Sequence, residues 1–241
     1  MLGLGNSLTS SGSTVFHPSE ITGLVANFNF LNNVTLSSTE LTKWVDTTGV
    51  YVLQPPDSNT RPTWDDVTGL TFDGAASNPD RLELLDIALD PAAITLDSSD
   101  GGWCVAIVYT SNNWDDGKRV IGHTSANSNY IAHTNGGNSV LARVGGVNKT
   151  FSLDTPSSLT DGDFYCIMFN SDAEGLTTMY INNVAQTDTE TNTADFVISQ
   201  VGAGNDANNI AGKIKNIVIY NQDLDATQRT NLYGYLQSSV S

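Results

Sequence analysis

The sequence predicts an all-β protein, a sandwich of two antiparallel sheets closed by one short C-terminal helix. Three observations predict it. Many short apolar runs are separated by Asn, Gly, Ser and Asp turns along the chain, the spacing of a multi-stranded sandwich. Two runs, Trp103 to Tyr109 and Phe164 to Phe169, are apolar at every position, as expected of strands covered on both faces. A capped amphipathic stretch, Ala226 to about Gln237, ends the chain.

In chain order, residues 1–15 are rich in Gly, Ser, Thr and Leu without periodicity and read as an extended arm, with Leu2, Leu4, Asn6 and Leu8 as its partner-binding residues. Residues 16–241 form one domain. Gly23 to Phe30 is a first strand, and Leu41 to Gly49 a short element and turn. Tyr51 to Leu53 is a strand, and Arg61 to Trp64 is extended because the residue before proline avoids helix. Gly69 to Gly74 and Arg81 to Leu85 follow as strands. After Trp103 to Tyr109 come Lys118 to Gly122, Tyr130 to His133, Ser139 to Val144 and Lys149 to Leu153. Phe164 to Phe169, Leu176 to Ile181 with its Asn182-Asn183 turn, Phe196 to Val201 and Lys213 to Tyr220 complete the strands. In the helix, Asp225 and Gln228 form a capping-box pair, and Arg229, Leu232, Tyr233 and Leu236 share one face.

The charge balance bounds the partners. Twenty-one Asp and five Glu face ten Lys and Arg, for a formal charge of -16. Such a surface repels phosphate backbones and anionic lipid, which argues against nucleic-acid and membrane partners. No apolar run is long enough to span a bilayer, and the first residues lack a basic segment followed by an unbroken apolar one, so no secretory signal is expected. Cys104 and Cys166 each sit in an apolar run; they read as buried thiols, with a disulfide as the alternative.

Four segments, in order, resemble the concanavalin A-like (laminin G-like) jelly-roll family. Gly69-Leu70-Thr71-Phe72-Asp73-Gly74 resembles its "L-x-F-D-G" strand and turn, and Trp103 to Tyr109 the apolar strand that follows. Thr178 to Val184 resembles its "L-Y-V-D-G" hairpin, with Asn183 in place of the glycine. Gly212 to Tyr220 with Leu224 resembles its closing strand. Trp44-Val45-Asp46 with Gly49, then Arg61-Pro62, resembles a segment of phage-type members. The resemblance covers about residues 20 to 237 and implies a concanavalin A-like jelly-roll fold that serves lectins, glycan hydrolases and virion proteins alike.

Relatives of this kind bind sugars and calcium through loops. The loop Asn112-Asn113-Trp114-Asp115, with Tyr130 and His133, has the mixture of aromatic ring and amide or carboxyl groups that recognises a sugar. Asp115, Asp116 and Asp206 are the metal candidates, with calcium as the ion because oxygen ligands suit hard cations. Glucanases on this fold carry paired glutamates at alternate strand positions. Glu20, Glu40, Glu83, Glu174 and Glu190 make no such pair, so no catalytic residue is assigned and a non-enzyme is expected. The expectation is a bacteriophage virion structural protein, a capsid decoration or head fibre. It would be made in the host cytoplasm, sit oligomeric on the virion surface, be held to capsid proteins by its arm and expose a lectin-like domain. The alternative is a carbohydrate-binding module whose partner is a cell-surface glycan.

Overall fold

The computed structural model describes residues 16–75, 77–114, 117–124, 128–203 and 208–238. The strands run β1 (Leu24–Asn29), β2 (Val34–Ser37), β3 (Glu40–Val45), β4 (Tyr51–Gln54), β5 (Thr63–Asp65), β6 (Gly69–Asp73) and β7 (Leu82–Asp86). They continue with β8 (Ile94–Leu96), β9 (Trp103–Ser111), β10 (Arg119–Gly122), β11 (Tyr130–Thr134), β12 (Ser139–Val144) and β13 (Val147–Ser152). The last are β14 (Tyr165–Ser171), β15 (Leu176–Ile181), β16 (Val184–Thr191), β17 (Phe196–Ile198), β18 (Gln200–Val201) and β19 (Ala211–Tyr220), before helix α1 (Ala226–Gln237).

These strands build a jelly-roll sandwich of two antiparallel layers. One runs β16-β15-β14-β9-β19, with β1 and β6 end to end along the far edge of β19. The other runs β2-β3-β4-β7-β18-β10-β11-β12-β13. Strand β5 pairs with both β3 and β6 and joins the layers at one corner.

Strand β9 shows why its sequence is apolar throughout. Its alternate residues Trp103, Val105, Ile107 and Tyr109 enter the core between the layers. Cys104, Ala106 and Val108 enter a second core beneath α1 with Ile21, Cys166, Met168, Val218, Leu232 and Leu236. Strand β19 reaches the same result through a bulge between Ile214 and Asn216, so that Ile214, Ile217 and Ile219 all face inward. The helix begins as its sequence requires. The Gln228 N–H donates to Asp225 Oδ1 at 2.8 Å, and the Asp225 N–H donates to Gln228 Oε1 at 2.9 Å. Arg229 lies over the Tyr180 ring at 4.6 Å and donates to the Leu224 carbonyl.

The two thiols are free and buried in this second core. Cys166 is opposite Val108, and Cys104 is opposite Asn170. They are thus four positions apart on neighbouring strands, about 13 Å along the strand direction, which is beyond disulfide reach.

Three sequence motifs turn out to be turns, the first held by hydrogen bonds and the others set by backbone conformation. Asp46 is 1% exposed. Its Oδ1 accepts the Thr48 N–H at 2.7 Å and the Thr48 hydroxyl, and its Oδ2 accepts the N–H groups of Val50 at 3.0 Å and Tyr51 at 2.6 Å. Asn182 and Asn183 have φ of 50° and 65°, the left-handed pair that a two-residue hairpin needs, and asparagine tolerates it. Gly74 has φ of 60°, and a Cβ there would stand 2.7 Å from the Ala211 Cβ, so the Asp-Gly corner admits no side chain.

The edges β13 and β16, one from each layer, are tied to each other. The Ser152 N–H donates to Asp188 at 2.8 Å, the Thr187 N–H to Asp154 at 2.6 Å and the Asp154 N–H to Gln186 at 2.7 Å. Lys149 pairs with Glu190 at 3.2 Å across the same seam.

Candidate functional site

The corner made by β5 carries a polar cleft of about 520 Å³. Glu40, Thr63 and Thr71 are register partners on β3, β5 and β6, so their side chains line one face. One wall is the loop before β5. There the Asn59 N–H donates to Asp57 at 2.7 Å, which turns the chain so that Arg61 faces Glu40, with Nη1 3.5 Å from Oε2. The other wall is the turn after β6, where two carboxyl groups latch each other's backbone. The Asp80 N–H donates to Asp73 Oδ1 at 3.1 Å, and the Asp73 N–H donates to Asp80 Oδ2 at 2.9 Å.

Asp80 is 7% exposed and lines the cleft. Burial pushes its carboxyl from the ordinary 3.8 up to about 7; the Asp73 N–H opposes this, and the charges of Asp73 and Glu40 add to it. Its Oδ1 has no hydrogen-bond partner among the described residues. Arg61 Nε is also buried without an acceptor. Asp80 Oδ1 and the exposed amides of Asn59 and Asn78 offer donors and acceptors that the fold itself does not use.

The residues singled out from sequence lie elsewhere. Trp114 is 2% exposed and sits in the core, with ring centroids 5.4 Å from Tyr109, 4.9 Å from His133 and 5.9 Å from Tyr165. It closes the end of the sandwich and has no free face for a sugar, which corrects the expected platform. His133 is fully buried beside it. Tyr130 is three residues earlier on β11 and therefore on the opposite face, where the Arg119 guanidinium covers its ring at 4.0 Å. Asn112 and Asn113 are exposed. The expected group is therefore divided between core, outer face and loop. Asp115, Asp116 and Asp206, like Leu2, Leu4, Asn6 and Leu8, lie outside the described residues. Among the described residues no group of three or more His, Cys, Asp or Glu is placed to hold a metal ion. Sequence reasoning quoted Arg61 and Asp73 only as marks of the fold. Their presence in two motifs flanking β5 was the signal that could have found the cleft.

No family model matches the sequence, and no curated protein matches it. Solved structures do. The chain is similar to a receptor-binding domain, at 14% identity and a TM-score of 0.63, over 89% of this chain and 51% of that one. It is similar to the binding domain of botulinum neurotoxin DC in complex with SialylT, at 13% identity and a TM-score of 0.59, over 89% and 51%. It is also similar to Trypanosoma rangeli sialidase in complex with sialic acid, at 11% identity and a TM-score of 0.60, over 92% and 34%. At these identities the likeness shows the fold, an all-β sandwich. The chain spans about half the length of the binding domains and about a third of the sialidases.

One expectation is overturned by these neighbours. The lack of paired glutamates pointed to a non-enzyme, yet sialidase chains carry this same sandwich. A missing glucanase motif therefore does not exclude catalysis. At about a tenth identity the likeness transfers no activity either.

Proposed function

We propose that this protein is a glycan-binding β-sandwich module whose ligand sits in the cleft at the β5 corner. The observation that carries this reading is the set of hydrogen-bonding groups left unused there: Asp80 Oδ1 and the exposed amides of Asn59 and Asn78. A sugar presents rings of hydroxyls that both donate and accept, which suits such a set. The resemblance of the fold to binding domains supports the same reading. A glycan array tests it. The folded protein should bind a subset of glycans, and the double variant N59A/R61A should lose them with little change in melting temperature, since Asn59 is exposed and the partly exposed Arg61–Glu40 pair contributes about 0–1 kcal/mol. A blank array, or binding undiminished in the variant, would refute it.

A second observation favours a setting for the module. The Trp44-Val45-Asp46, Gly49 and Arg61-Pro62 segments resemble phage-type members. We propose that the module belongs to a bacteriophage particle, as an oligomeric head decoration or fibre component attached to other virion proteins through residues 1–15. Mass spectrometry of purified particles should find it at fixed stoichiometry, and deletion of residues 1–15 should release a folded domain. Its absence from particles would end this reading.

A further inference from the structure

The cleft at the β5 corner also has a charge. Three carboxyl groups line it, those of Glu40, Asp73 and Asp80, against the one guanidinium of Arg61. That guanidinium is already committed, with Nη1 3.5 Å from Glu40. Asp73 and Asp80 spend one oxygen each on the other's backbone N–H and line the cleft with no cation paired to either among the described residues. The rest of the lining is neutral, consisting of hydroxyls and amides. The chain around it carries a formal charge of -16, so the wider field has the same sign.

We infer that this cleft takes neutral glycans and rejects those bearing a carboxylate, such as sialylated ones. This rests on the glycan-binding reading of the same cleft and adds the class of ligand. A ligand hydroxyl can donate to Asp80 Oδ1 and accept from the exposed amide of Asn59 or Asn78. A ligand carboxylate at the same place meets acceptors it cannot bond and charges that repel it. At a separation of about 6 Å in water-like dielectric, each unpaired carboxylate weakens an anion's binding about threefold, and two weaken it about tenfold once the pH exceeds the value of about 7 to which burial pushes the Asp80 carboxyl. The complexes with sialic acid and SialylT formed by similar folds belong to chains two to three times as long. They set no requirement for this cleft.

The test uses matched pairs on an array, each neutral glycan beside its sialylated counterpart, followed by calorimetric titration of the pairs that bind. At pH 8 and low salt neutral members should bind about tenfold more tightly, with the gap narrowing as salt screens the charges. Glu40→Gln, an exposed change, should narrow it further by relieving part of the field. Sialylated members binding as tightly or more tightly would overturn this inference and leave the glycan-binding reading standing. Folded protein that binds neither member of any pair would overturn both.

Discussion

Asp80→Asn should change how stability depends on pH. The folded Asp80 carboxyl titrates at about 7, against an ordinary 3.8, because it is buried beside Asp73 and Glu40. The folded protein therefore holds this proton more tightly than the unfolded chain does. The sign follows: stability from this group is fully present below about pH 4 and is lost as pH rises through 7. The full displacement would correspond to roughly 4 kcal/mol. Water at the mouth of the cleft screens it, so about 2 kcal/mol is expected. The asparagine keeps an oxygen to accept the Asp73 N–H and has no proton to lose. Urea unfolding of both proteins at pH 5 and pH 8 gives the answer, because every other titrating group cancels in the difference. The variant should gain about 1 kcal/mol on the wild type between those two pH values, since part of the displacement is already lost by pH 5. A flat difference, or a gain in the wild type, would show that Asp80 is ionised in the folded state and would remove the neutral acid from the cleft.

Other consequences are open to similar measurement. Trp114→Ala should lower stability by about 3–5 kcal/mol, the cost of emptying a buried aromatic site, and a melting temperature unchanged by the substitution would contradict its burial. Asp46→Ala leaves three backbone N–H groups and a hydroxyl without their acceptor, and should cost about 2–4 kcal/mol in urea unfolding; a loss well under 1 kcal/mol would mean that water replaces the carboxylate. Burial pushes the Cys166 thiol up to about 12 and raises Cys104 as well, so neither should react with Ellman's reagent at pH 8 until the protein unfolds. Rapid labelling of the native protein would contradict this.

Most of the fold was legible because burial wrote it into the chain. Strands β9 and β14 lie under two covers, and their unbroken apolar runs say so. Helix α1 has the predicted bounds because its capping pair marks the start and Leu232 and Leu236 mark the face. The strands that were missed lack such a record. Strand β16 reads V-A-Q-T-D-T-E-T, an edge whose outer side is wet and whose contacts to β13 are made by polar groups, so no hydrophobic alternation reveals it. Among the described residues the three-residue strand β8 pairs only with β17, which the run Phe196 to Val201 did reveal, and it carries just Ile94 and Leu96 inward. The site was less legible for a related reason. Trp114 in a run of Asn and Asp looks like a surface platform, and composition cannot tell an aromatic that closes a core from one that greets a ligand. The cleft depends on Glu40, Arg61, Asp73 and Asp80 meeting across 40 positions of sequence. Only the pairing of β5 with both layers brings them together.

The seam between β13 and β16 has a consequence for crowding. A free strand edge invites a strand from another molecule, and the risk grows with local concentration. Here Asp188, Asp154 and Gln186 already occupy edge N–H groups that such a strand would need. Hydrogen bonds from the Thr187 hydroxyl and N–H hold the Asp154 carboxyl below the ordinary carboxylate range, so its part of the seam persists into mild acid. Where copies of this protein pack side by side along this flank, they meet an edge that is already closed and lends no strand to a shared sheet.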